Sequence, residues 1–408
     1  MPPICHTIHA HVTCPPPPLR KPDLVWALGG NVLKTVYYGV AGEGRGHAAR
    51  ALAIIEQLHE RHRVVVYSYG QALSLLKSAC RSLDVEVRTL PSLEFSYTSQ
   101  RTLSYSRTFF RNVGYLKDLS DIFSRIQIEM ERTPPDLIVS DFEPVLPRVG
   151  RRLGVPFLSV DHQHFLLACD IRELPARLRP HAQWMGVFIK AFCPPGPSET
   201  VISSFFPYRV RPRYAFAKQV GVMMRRQILE AQPEDRGHLV AYVRRAETID
   251  IVPHLHALGR PARVYGLGQQ PRFGNVEFKE IHPNRFLEDL STATGLVTTA
   301  GNQLVGEALY LGKPVFAVPE PKNREQDINA HFVQTMGVGE SVAADLLSKD
   351  ELTLFLDKVP FYRARINRQR MCGNAIATRI IEDHLSGVYN TGERPRTSTR
   401  VSPAHAVA

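Results

Sequence analysis

VTTAGNQLVGEALYLGKPVFAV, residues 297–318, predicts a buried strand, a glycine turn that opens a helix, and a second buried strand. The loop 299–303 brings main-chain N–H groups to the start of that helix, where they and the helix dipole favour a phosphate. Glu307, one turn further on, is placed to accept hydrogen bonds from a sugar hydroxyl. The same pattern occurs in doubly wound α/β domains that bind nothing there. Taken alone, it therefore supports a ligand site and a plain structural turn about equally.

A second polar cluster follows the next predicted strand. Glu320 lies between two prolines, and REQD at 324–327 and then Asn329 come after it. Open parallel sheets bind their ligands at the carboxyl ends of the strands. Two polar clusters in successive loops at that edge therefore favour the ligand site.

These clusters resemble the donor-binding segment of GT-B glycosyltransferases, especially the peptidoglycan lipid-linked N-acetylglucosaminyltransferase and the UDP-glucuronosyltransferases. Within that superfamily, residues 34–342 resemble a family of predicted bacterial and archaeal glycosyltransferases. The resemblance implies an α/β fold of two Rossmann-like parallel-sheet domains that face each other across a cleft.

The same resemblance implies that seven residues of the second half bind the nucleotide sugar: Gly301, Asn302, Gln303, Glu307, Glu325, Gln326 and Ile281. The first three would face the diphosphate, and the fourth would hold the ribose hydroxyls. Glu325 and Gln326 would stand at the hexose hydroxyls, and Ile281 at the base, which the superfamily reads through main-chain groups. Glu325 differs from the Gln or Asp that is common at its place, so the identity of the sugar stays open.

The first predicted strand, 35–40, is followed by the glycine-rich turn AGEGRGH at 41–47 and then by a helix. As a bare glycine pattern, this turn is weak evidence for a nucleotide site. His47 lies at the mouth of the helix, and an imidazole titrates close enough to neutral pH to take a proton from a hydroxyl. The resemblance implies that His47 is the catalytic histidine and that Gly44 and Gly46 contact the nucleotide sugar. From the residues alone, a histidine that merely caps the turn is an equal alternative.

PPDLIVSDFEP, residues 134–144, predicts a buried strand that ends at Asp141. The stretch is similar to the strand of plant sugar transferases whose terminal Asp pairs with the catalytic histidine. Asp141 is therefore predicted to orient His47 and to stabilise its protonated form. Glu143 is a second candidate for this role, and the sequence does not separate the two.

The composition is that of a globular protein with two domains: 408 residues, 44% hydrophobic and 22% charged. No segment approaches the roughly 18 apolar residues that a membrane-spanning helix needs. Six cysteines without regular spacing suit reduced thiols. These features predict a cytoplasmic protein, with the inner face of the plasma membrane as a further location.

The net charge of +11 predicts an anionic partner. Nucleic acid is disfavoured, because no zinc-finger or RNA-recognition signature accompanies the charge. An anionic membrane is the other candidate. Residues 96–117 are basic and aromatic without an acid, and would contact lipid headgroups or an acceptor, or form a solvated loop. Residues 165–192 would form either an amphipathic membrane-facing patch or a core helix.

The chain divides into five predicted segments. Residues 1–33 combine a proline run with a Cys/His cluster of non-finger spacing, and are predicted to be a disordered or non-native extension rather than a zinc site. An N-terminal acceptor-side domain would cover 34–200, and a C-terminal nucleotide-sugar-binding domain 201–365, divided by a proline-rich boundary. A crossover helix, 366–386, and a flexible tail, 387–408, would follow.

Together these features predict an inverting glycosyltransferase. A hexosyl group would move from a nucleoside-diphosphate sugar, by preference uridine-linked, to a hydroxyl acceptor, by preference an envelope glycan or a lipid-linked acceptor. His47 would act as the base, and the helix start at 301–303 would stabilise the departing diphosphate. No Asp-x-Asp pair of the kind that holds a metal under a nucleotide sugar occurs in the sequence, so neither a metal nor another cofactor is expected. The alternatives are a nucleotide-sugar hydrolase or epimerase of the same fold, and a non-catalytic nucleotide-sugar-binding subunit.

Overall fold

The computed structural model describes residues 33–91, 113–243 and 250–387, and for 113–119 the backbone alone. The predicted N-terminal extension, the basic and aromatic stretch and the C-terminal tail lie almost wholly outside these residues. The two sheets that the described residues form belong to one compact unit that begins at Lys34.

The first lobe is a parallel sheet with helices packed on both faces. Its strands are β1 (Thr35–Val40), β2 (Arg63–Ser68), β3 (Glu86–Thr89), β4 (Leu137–Asp141), β5 (Phe157–Asp161), β6 (Glu199–Ser203) and β7 (Ala217–Val220). Within the described residues, these seven strands are ordered β3-β2-β1-β4-β5-β6-β7. Its helices are α1 (Arg45–Leu58), α2 (Gly70–Ala79), α3 (Val113–Arg132), α4 (Val145–Arg152), α5 (Phe165–Ala168) and α6 (Arg179–Phe192).

The central strands of this sheet are apolar on both faces, as expected for a covered parallel sheet. On β1, Tyr38 packs into the core that α1 covers, whereas Tyr37 packs into the core on the opposite face. The buried face of α1 carries Ile54, Ile55 and Leu58 at helical spacing. Burial of this face fixes α1 against the sheet and so fixes the turn that precedes the helix.

The second lobe is a smaller sheet of the same kind. Its strands are β8 (Leu239–Tyr242), β9 (Ala262–Tyr265), β10 (Val276–Lys279), β11 (Gly295–Thr298), β12 (Val315–Ala317) and β13 (Gly339–Ser341). Within the described residues, the six strands are parallel and ordered β10-β9-β8-β11-β12-β13. The remaining helices are α7 (Arg226–Glu230), α8 (Val252–Ala257), α9 (Pro283–Ser291), α10 (Asn302–Tyr310), α11 (Arg324–Thr335), α12 (Lys349–Asp357), α13 (Val359–Arg365), α14 (Arg368–Met371) and α15 (Asn374–Leu385). No helix in the described part of the chain is long and apolar enough to cross a membrane.

In both sheets the order of the strands reverses at one point, between β1 and β4 in the first and between β8 and β11 in the second. Val40 lies beside Asp141 across the first of these pairs, and Tyr242 beside Thr298 across the second. Loops that leave neighbouring strands at such a point run in opposite directions and open a crevice, which is where α/β sheets bind ligands.

The boundary between the lobes differs from the prediction at residue 200. Strand β6 crosses that position, and both β6 and β7 pair within the first sheet. The first lobe therefore extends to Val220, and the second sheet begins at Leu239. The proline-rich stretch at 193–197 marks a loop, but this loop connects α6 to β6 rather than one domain to the next.

The predicted crossover helix, 366–386, is divided into α14 and α15. The Asn367 side chain accepts a main-chain N–H and begins α14 as an N-cap. At Gly373 a Cβ would lie 2.2 Å from the carbonyl oxygen of Gly221, so the chain passes too close to the segment between the lobes for a larger residue. The buried face of α15 then joins the core of the first lobe.

Candidate active site

The turn after β1 places a histidine at the carboxyl edge of the first sheet. Gly44 is the N-cap of α1 and has a φ of 80°, a left-handed conformation that glycine adopts without strain. The chain therefore passes from β1 into α1 within a few residues, and His47 lies in the first turn of the helix. Because β4 is the neighbouring strand and ends at Asp141, the imidazole and the carboxylate meet at the same edge.

His47, Asp141 and Arg50 form a hydrogen-bonded cluster. Nδ1 of His47 lies 2.7 Å from Oδ1 of Asp141. Arg50 donates to both carboxylate oxygens, from Nε at 2.8 Å and from Nη2 at 2.6 Å. Nη2 of Arg50 also lies 3.0 Å from Nδ1 of His47. Because a carboxylate accepts hydrogen bonds and does not donate them, the hydrogen bond to Asp141 requires the proton on Nδ1, and a neutral ring then has its lone pair on Nε2. Nε2 lies 3.5 Å from the side-chain nitrogen of Gln163, on the open side of the cluster.

Because this cluster is buried, its charged side chains are stabilised by one another rather than by water. The Asp141 and Arg50 side chains are 0% and 3% exposed, and that of His47 is 13% exposed. Burial lowers the pKa of Arg50, but the charge of Asp141 and its hydrogen bond raise the pKa by more, so the guanidinium stays charged. The sequence reasoning missed Arg50, although it lies three residues after His47 and hence on the same face of the helix.

Glu143, the alternative partner for His47, has another function. Its carboxylate accepts the main-chain N–H groups of Val145 at 2.6 Å and Leu146 at 2.9 Å, at the start of α4. Burial raises the pKa of Glu143 to about 7, although these two hydrogen bonds act in the opposite direction. Glu143 therefore caps α4, and the hydrogen bond to His47 is made by Asp141.

Helix α10 begins at the facing edge of the second sheet, directly after Gly301. Ala300 is buried and has a φ of 65°, which is uncommon for a residue with a Cβ. Its carbonyl oxygen accepts a hydrogen bond from Nδ2 of the buried Asn329, at 2.9 Å. This contact holds the loop in the conformation that points the start of α10 into the cleft, and such strain is commonly found at binding sites.

The side chains that follow Gly301 are largely engaged with the protein. Asn302 donates to the carbonyl oxygen of Ser203 at 3.1 Å and accepts from the N–H of Phe205 at 3.3 Å, both in the first lobe. Gln303 donates to the carbonyl oxygen of Met223 at 2.7 Å and to Glu307 at 2.9 Å. The Asn302 side chain thus connects the lobes, and only its main chain is left for a diphosphate.

Glu307 is buried in the cleft wall, close to a cation that the sequence reasoning missed. Its second carboxylate oxygen lies 3.7 Å from a terminal nitrogen of Arg225, whose side chain is 17% exposed. Nε of Arg225 is buried and has no hydrogen-bond partner among the described residues. No sequence signal distinguishes Arg225 from the neighbouring Arg226, which instead pairs with Glu60 at the surface.

The residues predicted for the hexose and the base lie on the same cleft. Gln326 is buried and accepts the main-chain N–H of Glu320 at 2.7 Å, whereas Glu325 is exposed. Ile281 is half-buried and lines the cleft together with Tyr242 and Phe286, whose rings pack edge to face.

One cleft with a cavity volume of about 610 Å³ joins the two lobes. Of the residues predicted from sequence, it is lined by Gly44, Gly46, His47, Ile281, Gly301, Asn302, Gln303, Glu307, Glu325 and Gln326. Asp141 is fully buried behind His47. A Cβ on Gly46 would lie 3.7 Å from that of Gln303, an ordinary van der Waals distance, so α1 of the first lobe runs close to α10 of the second. The volume is in the range of small-molecule sites.

Comparisons with known proteins agree with this arrangement. A family model described as glycosyl transferase family 1 matches residues 34–360. An uncharacterized glycosyltransferase of Methanosarcina mazei is 23% identical over 336 residues, which cover 74% of this chain and 85% of that protein.

Solved structures of similar fold include the calicheamicin glycosyltransferase CalG4, with a TM-score of 0.63 and 17% identity over 88% of this chain and 99% of that one. MurG of Acinetobacter baumannii has a TM-score of 0.56 and 15% identity over 86% of this chain and 99% of that one. At these identities the likeness concerns the fold alone. The predicted GT-B fold, two parallel-sheet α/β domains, is confirmed.

Proposed function

The chain belongs to glycosyl transferase family 1, and from this premise we propose that it transfers a hexosyl group from a nucleoside-diphosphate sugar to a hydroxyl acceptor. A uridine-linked sugar is the expected donor. The proposal is carried by one observation: an imidazole oriented by Asp141 lines the same cleft as the start of helix α10. One lobe thus supplies a base, and the other supplies an anion site.

His47 would be the base of a direct displacement. Its Nδ1–H is engaged with Asp141, so the Nε2 lone pair, which has only the long 3.5 Å contact to the Gln163 side-chain nitrogen, can take the proton of an acceptor hydroxyl that replaces this contact. As that O–H bond breaks, the oxygen forms a bond to the anomeric carbon from the side opposite to the diphosphate. The bond from the anomeric carbon to the phosphate oxygen breaks, and its electron pair leaves with the diphosphate. The configuration at the anomeric carbon is inverted. Asp141 then stabilises the imidazolium.

The leaving diphosphate would be stabilised by the start of α10 and by Arg225. The first N–H groups of a helix have no partner within the helix, and the helix dipole adds partial positive charge. Arg225 reaches the same cleft with a buried Nε that has no hydrogen-bond partner in the described part of the chain. These groups place positive charge where negative charge develops, and we propose that the reaction proceeds without a metal ion.

Glu307 would hold the ribose hydroxyls, and Ile281 would meet the base. The Glu307 carboxylate is fixed by Gln303 and lies beside Arg225, so it is held in one orientation. Such a carboxylate accepts hydrogen bonds from the two hydroxyls of a ribose but repels a second anion. Glu325 and Gln326 would then contact the hexose.

For the acceptor we propose an envelope glycan or a lipid-linked glycan, reached at an anionic membrane surface. Helix α6 exposes 45% of Trp184 and 69% of Val187. Trp184 stacks with Phe188, and Phe188 with Phe192, so one side of the helix is a continuous aromatic row. Burial lowers the pKa of His181, at the start of α6, and the charges of Arg324 and Asp327, at the start of α11, act on it in opposite directions, so the two helix starts lie near each other.

A basic cavity of about 400 Å³ lies at the other end of α6, lined by Arg148, Arg151, Arg152 and Lys190. A partly exposed aromatic row next to a basic cluster is typical of a surface that contacts anionic lipid. This surface would bring the mouth of the cleft close to a lipid-linked acceptor.

A ligand screen tests the donor part of the proposal. A ligand that binds the native state alone raises the melting temperature, and we expect UDP and UDP-hexoses to do so more than the corresponding guanosine and adenosine compounds. Wild-type protein should also bind UDP more tightly than 2′-deoxy-UDP, and the Glu307→Gln variant should lose this preference. The absence of stabilisation by every nucleoside diphosphate would contradict the proposal.

Product analysis tests the reaction. The purified donor should stay intact when no acceptor is present, and the transferred sugar should show the inverted anomeric configuration by NMR. Free sugar or an isomer formed from the donor alone would instead indicate a hydrolase or an epimerase. Donor binding without turnover on any acceptor would favour the binding subunit.

A further inference from the structure

His162, at the end of β5, is a buried imidazole with one nitrogen unused. The residue is 1% exposed and lines the cleft. Its Nδ1 lies 2.9 Å from the carbonyl oxygen of Ser203, whereas Nε2 has no hydrogen-bond partner within the described residues. A buried polar atom without a partner costs free energy, and a ligand is one reason for a protein to keep it.

The Ser203 carbonyl decides what this free nitrogen can bind. A carbonyl oxygen accepts hydrogen bonds and never donates, so the proton of His162 is on Nδ1. Nε2 therefore presents a lone pair and serves as an acceptor. Burial lowers the pKa of His162 from its usual value and so favours the neutral ring, whereas the charge of Glu325 acts in the opposite direction.

Gln163, the next residue, adds a second unused acceptor. Its side-chain oxygen is buried and has no partner among the described residues, while its nitrogen faces His47 Nε2 at 3.5 Å. The end of β5 thus carries two neighbouring acceptors beside the proposed base. Each would be satisfied by a hydroxyl or an amide N–H, and a phosphate without protons could satisfy neither.

The position of His162 indicates which part of the substrate supplies the hydrogen. The ring is stacked on Phe165 at a centroid distance of 4.9 Å and is held edge-on by Phe206 at 5.9 Å, so it has little freedom to turn. It lies in the first lobe near His47, and the charge of Glu325 reaches it across the cleft. The space between these residues is where the reacting sugar would lie.

We propose that Nε2 of His162 accepts a hydrogen bond from a hydroxyl or amide N–H group of the transferred sugar, so that the first lobe contributes to the choice of donor. This inference rests on the proposed transferase function. His162 would be a specificity residue rather than a proton-transfer residue. It would add to the selection made by Glu325 and Gln326 in the second lobe.

Two variants remove the acceptor in different ways. His162→Phe keeps the aromatic contacts with Phe165 and Phe206, and the Ser203 carbonyl keeps its hydrogen bond from Asn302. His162→Asn retains a side-chain N–H that can donate to Ser203 but has no atom at the Nε2 position. If either variant folds poorly, the other remains for the test.

The experiment is calorimetric titration of wild type and both variants with UDP, with the tightest-binding UDP-hexose, and with its monodeoxy derivatives. UDP should bind all three proteins equally, because His162 would not contact the nucleotide. In wild type, removal of one particular hydroxyl, or of an amide group where the sugar has one, should weaken binding by about three- to tenfold. In both variants the same removal should have almost no effect. His256→Phe, an exposed imidazole outside the cleft, is the matched control and should behave as wild type.

Two results would overturn the inference in distinguishable ways. If UDP binds wild type but every deoxy derivative loses the same factor in wild type and in the variants, the subsite is wrong and the proposed function stands. If neither UDP nor any UDP-hexose binds wild type, the expected donor is wrong, and the subsite falls with it.

Discussion

Arg50 donates two hydrogen bonds to the carboxylate of Asp141, and both side chains are buried. The same carboxylate accepts from His47. The charge of Asp141 is therefore balanced by Arg50 while the imidazole is neutral. A proton taken up by His47 would add a second positive charge next to that pair.

Replacement of Arg50 by Met should destabilise the protein strongly. The substitution leaves the Asp141 carboxylate buried without its cation, which typically costs about 3–5 kcal/mol of unfolding free energy. Arg50→Lys keeps the charge but loses the two-point contact with the carboxylate. Its free energy of unfolding should therefore lie between those of wild type and Arg50→Met. Urea unfolding followed by circular dichroism would measure these differences. If Arg50→Met combined with Asp141→Leu were no more stable than Arg50→Met alone, the cost would not come from the unpaired carboxylate.

Replacement of His47 by Ala should abolish most turnover and leave the donor bound. A positioned catalytic base contributes about 10²- to 10⁴-fold in rate, which explains the expected loss of turnover. Donor binding should persist because, within the described residues, His47 makes no hydrogen bond to α10 or to the predicted site of the nucleotide base. Its hydrogen-bond contacts go to Asp141, Arg50 and Gln163 in the first lobe. Steady-state rates and the UDP dissociation constant of His47→Ala would be compared with those of His256→Ala, an exposed histidine outside the cleft. Turnover retained by the His47 variant would eliminate the proposed base.

The buried pair of Asp161 and His164 should make stability depend on pH. Their Oδ2 and Nδ1 atoms lie 2.6 Å apart. Burial is the largest single influence and lowers the pKa of His164, but the charge of Asp161, its hydrogen bond to the ring and the neighbouring Cys193 together raise the pKa well above its usual value. Burial likewise raises the pKa of Asp161, and His164 lowers it by more, to below its usual value. The pair is thus charged in the folded protein over a wider range of pH than in the unfolded chain.

The sign of the effect follows from these directions. His164 stabilises the fold fully below its unfolded pKa of about 6.5, and this contribution decreases as pH rises towards its folded pKa. Asp161 stabilises the fold above its unfolded pKa of about 3.9, and this contribution decreases as pH falls. The unfolding free energy of wild type, minus that of Asp161→Asn with His164→Gln, should therefore be greatest between about pH 4 and 6.5 and fall by up to ~1.4 kcal/mol per pH unit above that range. Chemical unfolding from pH 4 to 9 would measure it, and a difference independent of pH would show that the two groups are not a charged pair.

The exposed row on α6 should bind anionic vesicles. Replacement of both Trp184 and Val187 by Ser removes apolar area that would enter the headgroup region, and binding should weaken by about tenfold or more. Lys190→Glu should weaken it further and reduce its dependence on salt. Co-sedimentation with phosphatidylglycerol vesicles, and with phosphatidylcholine vesicles for comparison, is the measurement.

Ile376→Ser is the matched control for this surface, since Ile376 is 53% exposed on α15 in another part of the molecule. It should leave vesicle binding unchanged. If Ile376→Ser weakened vesicle binding as much as the α6 variants do, binding would depend on exposed apolar area in general and not on the α6 surface. Absence of binding by wild type would contradict the proposed membrane contact.

Much of the fold could be predicted because its signals are local. The strands are short apolar runs with turn residues at both ends, and Gly301 and Gly312 set the limits of α10 in the sequence itself. The predicted boundary between the lobes was wrong because the signal that decides it is not local. Whether β6 and β7 belong to the first or the second sheet depends on pairing with β5, and no local pattern records that choice.

The sequence indicated which positions lie at the candidate site, but it indicated few of the contacts that their side chains make. Asp141 could be placed at the edge of the sheet, but its preference over Glu143 depends on main-chain N–H groups that capture Glu143 at the next helix. The Asn302 side chain bonds to Ser203 and Phe205, almost a hundred residues away in the sequence. No local pattern therefore indicates that this side chain points towards the first lobe.

The carbonyl oxygen of Ser203 accepts hydrogen bonds from His162 in the first lobe and from Asn302 in the second. Separation of the lobes at this atom would strip a buried side-chain N–H of its acceptor, which is costly. Ser203 should therefore act as a pivot, and the mouth of the cleft should widen or narrow around it. Spin labels at the exposed rim positions Glu43 and Arg324 would then change their separation when UDP binds, and an unchanged separation would mean a rigid cleft. Because His162 and Asn302 share this one oxygen, a shift of Asn302 on binding of a sugar nucleotide would change the position of His162. Donor binding to the second lobe would then be coupled to the orientation of the first lobe.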